Sequence, residues 1–114
     1  MITYRIQQPE HSLDLLLDPE TQYSTPWNGD EDLIRKGVSA CASLDDLAAY
    51  FAQSGVSLSD DCLLVAMESH WAEDDDVDAD LGAILVIPTA IVSAEPVPES
   101  FFLAVADAYD WLAA

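Results

Sequence analysis

Apolar and polar residues alternate at the start of the chain. Ile2, Tyr4 and Ile6 interleave with Thr3, Arg5 and Gln7, and Pro9 follows; period two predicts a half-buried strand. Leu13, Leu15 and Leu17 interleave with Ser12 and Asp14, and Pro19 follows. That pattern predicts a second strand, joined to the first as a hairpin through residues 8–11. Residues 19–29 read as a loop, because Asp18-Pro19, Thr25-Pro26 and Asn28-Gly29 are turn pairs. Tyr23 and Trp27 within it are expected to plug the edge of the core. Residues 30–36 fit a short helix with acids at its start and Arg35 and Lys36 at its end, the order the helix dipole favours. Residues 38–42 add a short strand.

The clearest helix is 44–53. Ser43 is a good N-cap, with Asp46 three residues on. Leu44, Leu47, Ala48 and Phe51 fall at i, i+3, i+4 and i+7, a stripe facing a core. Gly55 suits the left-handed residue that closes a helix. Residues 62–67 and 83–87 are near-continuous apolar runs of the kind found in central strands. The second is interrupted by Pro88 and resumes at Ile91 and Val92. Paired, the two runs form a long hairpin whose connection spans residues 71–81. Pro96 and Pro98 precede a last helix, 99–112, with an apolar stripe of Phe102, Val105, Ala106 and Tyr109. The order predicts an α+β fold: an antiparallel or mixed sheet of four to five strands with two main helices packed on it, in a single compact domain over 1–114 with an acidic loop at about 68–80.

Charge changes the picture. The 114 residues hold 22 Asp and Glu against three Lys and Arg, a formal charge of −19. Solubility needs a magnitude of only about 2–8 in a small domain, and the excess opposes folding by self-repulsion. It also repels nucleic acid and anionic lipid, so direct nucleic-acid or membrane binding is excluded and a basic protein is the expected partner. No apolar run reaches the ~18 residues of a membrane span, and the first residues lack a secretory pattern, so the expected location is cytoplasmic. Cys41 and Cys62 sit in apolar surroundings and are expected to be buried free thiols, a disulfide being the alternative.

The acids concentrate in residues 68–80, ESHWAEDDDVDAD. Asp76, Asp78 and Asp80 match positions 1, 3 and 5 of a calcium loop, but Leu81 stands at position 6 and Ile87 at position 12, so the motif fails. No zinc spacing, phosphate-binding glycine loop or nucleophile motif is present. No metal, no cofactor and no enzymatic activity are expected. In an extended segment alternate side chains point the same way, ~6.6–6.8 Å apart. Asp74, Asp76, Asp78 and Asp80 then form a row comparable to the phosphates of a nucleic-acid strand, with Glu73 and Asp75 offset and Asp60, Asp61 and Glu68 extending it. Trp71 beside them is a candidate anchor. The expected function is a non-enzymatic inhibitor that mimics nucleic acid and blocks the cationic groove of a DNA- or RNA-binding protein, of the anti-restriction, anti-CRISPR or nuclease-inhibitor type. The competing expectation is an acidic interaction or accessory module, salt-adapted, with no nucleic-acid-related partner.

Overall fold

The computed structural model describes residues 1–24, 35–54, 58–76 and 79–113. Chain order is β1 (Ile2–Gln7), α1 (Asp14–Leu17), β2 (Tyr23–Ser24), β3 (Arg35–Lys36), β4 (Val38–Ala40), α2 (Leu44–Ser54), β5 (Leu63–Trp71), a 3-10 turn (Ala79–Leu81), β6 (Ile84–Pro96) and α3 (Glu99–Ala113). The main sheet is antiparallel, in the order β1-β5-β6-β4, and β2 and β3 form a separate pair. The α+β class and the two main helices are as the sequence predicts.

The β5–β6 hairpin is the centre of the fold. Its register runs from Leu63 opposite Pro96 to Trp71 opposite Val86, with irregularities after Ala66 and Glu68. Strand periodicity sends alternate residues to opposite faces. Leu64 joins Ile6, Leu47, Phe51, Val97 and Phe101 beneath the helices. Val65 and Met67 join Val38, Val86 and Leu16 on the other face. Burying each such side chain contributes about 1.5–3 kcal/mol. A buried hydrogen bond of 3.1 Å joins the Thr3 and Ser69 hydroxyls across β1 and β5.

Residues 14–17 are helical, not the second strand the alternation predicts. Leu13 and Leu16, three apart, meet the second cluster, while Leu15 and Leu17 stay exposed. Burial selects the helical spacing, and residues 8–11 therefore do not turn a hairpin. Gln22 fixes this segment to the sheet: its buried Nε2 donates to Leu16 O at 2.7 Å and Pro88 O at 3.1 Å. Arg35 and Lys36 are extended and pair with Ser24 and Tyr23, so the predicted helix does not include them; residues 30–34 lie outside the described residues. Tyr23 is exposed rather than a plug, with Lys36 Nζ 4.8 Å from its ring centroid. Trp27 and Gly55 also lie outside the described residues.

α2 starts as its capping pattern requires, with Asp46 N donating to Ser43 Oγ at 3.1 Å. Leu47, Ala48 and Phe51 are buried, whereas Leu44 is exposed. In α3 the most buried residue is Phe101, edge-to-face with Phe51 at 6.4 Å between centroids. Phe102, Ala104 and Val105 pack at the margin, and Tyr109 is 61% exposed. Among the described residues, no helix is long and apolar enough to cross a membrane.

Candidate functional site

Three chain segments bring carboxylates to one end of the molecule. The first is the β5–β6 connection. It leaves the sheet with Ala72 N donating to Leu85 O at 3.1 Å, then turns back on itself through Ala79 N to Asp76 O at 3.2 Å and Gly82 N to Ala79 O at 3.1 Å. Glu73, Asp74, Asp75 and Asp80 are exposed, whereas Asp76 is only 7% exposed. The second segment is the start of α2, which carries Asp45 and Asp46 in its first turn. The 3-10 turn of the connection packs against α2.

The third segment is the end of α3. Asp107, Ala108 and Trp111 line one groove with Asp45, Ala48 and Ala49, so the last turns of α3 lie beside the first turn of α2. Asp110 borders a second groove, with Phe102 and Tyr109 on the other flank of α3. The helix dipole favours Asp45 and Asp46 at an N-terminus and disfavours Asp107 and Asp110 at a C-terminus. α3 has no basic residue in its last turn. Trp71 at the base of the connection is 64% exposed and Trp111 is 80% exposed.

Among the described residues, no Lys, Arg or His forms an ion pair with the exposed carboxylates of this pole. The two described ion pairs, the Met1 amine with Glu68 and His11 with Glu10, lie outside it. Lys36 is held on the minor sheet, where Nζ donates to Pro19 O at 2.6 Å. Among the described residues, no three His, Cys, Asp or Glu side chains are grouped to hold a metal ion.

The extended row predicted for Asp74, Asp76, Asp78 and Asp80 is not what the backbone forms. Asp76 turns inward, Asp80 belongs to a 3-10 turn, and Asp78 lies outside the described residues. Asp60 and Asp61 do not extend the group either. They precede β5 at its far end, where Val97 N donates to Cys62 O at 3.3 Å, roughly 26 Å along the strand from Trp71. Glu68 is midway, with Oε1 3.1 Å from the terminal amine. Conversely, Asp45, Asp46, Asp107 and Trp111 were not assigned to the site by sequence. The available signal was the pair of uncompensated acids at the end of α3; their proximity to α2 depends on the antiparallel helix packing.

Cys41 and Cys62 are free and buried. Burial, then the charges of Asp46 and Asp76, push the Cys41 thiol up to about 12. A thiolate is the reactive form, so Cys41 is expected to resist alkylation by iodoacetamide in the native state and to react on unfolding. The raised value also sets a pH dependence. Above pH ~9 the unfolded chain releases this proton and the folded one does not, so stability falls with rising pH, by up to about 1.4 kcal/mol per unit. Urea melts between pH 8 and pH 10 are expected to show this slope, and Cys41→Ala to flatten it; an equal slope in the variant overturns the assignment.

No protein-family model, curated protein or solved structure matches the chain.

Proposed function

We propose that the chain is a non-enzymatic binding protein whose acidic pole occupies the cationic groove of a nucleic-acid-binding protein in place of nucleic acid, and thereby inhibits it. The observation that carries this reading is the convergence of Asp45, Asp46, Glu73, Asp74, Asp75, Asp80 and Asp107 from separate elements, beside two largely exposed tryptophans. Self-repulsion makes such a grouping unfavourable for folding alone. Its field is complementary to a groove of Lys and Arg, which gains counterion release on binding a polyanion. Trp71 and Trp111 place flat aromatic faces beside the carboxylates, as a single strand places bases beside phosphates, and grooves for single strands offer stacking partners of that kind. The rough equivalence is one of charge and aromatic surface, without a repeating phosphate spacing.

The test is capture of nucleic-acid-binding proteins on immobilised protein, followed by measurement of affinity against salt for each one found. The expected result is a nuclease or other nucleic-acid-binding complex that is released by salt and displaced by DNA or RNA. A variant carrying Glu73→Gln, Asp74→Asn, Asp75→Asn and Asp107→Asn should bind about 10²-fold more weakly at low salt. A captured protein that DNA and RNA leave in place favours the ordinary acidic interaction module. Unchanged binding by the variant removes the pole from the mechanism.

A further inference from the structure

Among the described residues, no carboxylate forms an ion pair with Arg5. Arg5 lies on β1 and is half-buried. Its Nη1 donates to Ser39 O at 3.1 Å, and its enclosed Nε has no hydrogen-bond partner. None of the chain's 22 Asp and Glu is seen paired with it among the described residues, and the titratable group it interacts with is the phenol of Tyr50. Burial pulls the guanidinium down to about 10, so it remains protonated at neutral pH. A partly buried charge without a carboxylate partner is unfavourable, and most such groups are paired.

Arg5 borders a cavity of about 180 Å3. Leu47, Phe51 and Ala83 give it apolar walls, and Gln8, Ser39 and Tyr50 add polar groups. It opens to solvent on one side. An apolar cavity of about 150 Å3 is known to take benzene, so this one matches a single ring or a short branched chain. We propose that the cavity is a binding site for a small monocarboxylate with a compact apolar body, its carboxylate on Arg5 and its body against Leu47, Phe51 and Ala83. The guanidinium fork matches a carboxylate. A phosphate ester fits less well: its second charge adds to the repulsion by the −19 chain.

The site is independent of the acidic pole, and salt separates the two. Binding of a cationic partner to the pole weakens steeply as salt rises. Binding of an anion at Arg5 opposes the net charge of the chain, and salt screens that repulsion.

The probe is sodium benzoate, titrated into isotopically labelled protein and followed by amide shifts, with benzyl alcohol as the uncharged comparison. Saturable shifts are expected at Ser39, Cys41, Leu47 and Ala83, with benzoate at least about tenfold tighter than the alcohol. Benzoate affinity should hold or rise between about 50 and 200 mM salt. Arg5→Met should abolish the preference for benzoate and Arg5→Lys should keep part of it. The wild-type comparison stands even where a variant does not fold. No saturation by benzoate, shifts confined to other residues, or equal affinity for the alcohol overturns the proposal.

Discussion

Gly37→Ala is expected to destabilise the protein by about 3 kcal/mol, and Gly82→Ala by only about 1. Both glycines have positive φ, +130° for Gly37 and +95° for Gly82, a backbone state that disfavours any side chain with a Cβ. They differ in surroundings. A Cβ on Gly37 meets Leu85 Cγ at 2.8 Å, Ala72 Cβ at 3.1 Å and Val86 O at 3.2 Å, whereas one on Gly82 meets nothing within 4 Å. Leu85 is buried and Val86 O is backbone of the central hairpin, so neither yields without moving β6. Gly37 N also donates to Gln22 O at 2.8 Å, tying the α1–β2 segment to β4. Urea melts check the pair: the midpoint should fall markedly for Gly37→Ala and slightly for Gly82→Ala, with similar slopes. Equal losses would mean that β6 relaxes around the new methyl group. Because Ala72 begins the acidic connection, Gly37→Ala should also displace the connection, while Gly82→Ala should leave partner binding intact.

The hairpin that holds this connection is legible in the sequence because its strands are long and apolar on both faces. Pro88 argued for a break, yet β6 continues through it. The residue is tolerated because it pairs with Ser69 just past a register irregularity, where a missing N–H is least disruptive. α2 is legible for a different reason: its cap, stripe and length agree. α1 is not, since four residues of a Leu-rich segment satisfy either period and only the position of Leu16 under the sheet decides. The shift of the α3 stripe towards Phe101 has the same origin, a tertiary contact with Phe51. For the candidate site, composition reveals the charge and its density at residues 73–80. Which acids share a pole depends on the folding-back of the connection and the antiparallel placement of α3 on α2, and neither leaves a periodic trace.

Raising ionic strength is expected to stabilise the protein, and reversing charge at the pole to do the same at low salt. Two like charges ~8 Å apart repel by about 0.5 kcal/mol in water, and several such pairs among the pole carboxylates sum to about 2–4 kcal/mol. The Debye length falls from ~30 Å at 0.01 M to ~8 Å at 0.15 M salt, so most of the gain should arrive within that range, as a rise in Tm of roughly 10 °C. Asp74→Lys with Asp107→Lys should raise Tm at 0.01 M salt, and the advantage should shrink as salt increases. A stabilised variant that also loses its cationic partner would mark the pole as a surface kept for binding at the expense of stability. Two results would overturn this account. A Tm that does not depend on salt means the carboxylates are too well solvated to repel. A native state that forms only in molar salt, with no further benefit from charge reversal, means that the acids serve salt adaptation across the whole surface, and the pole has then no separate role.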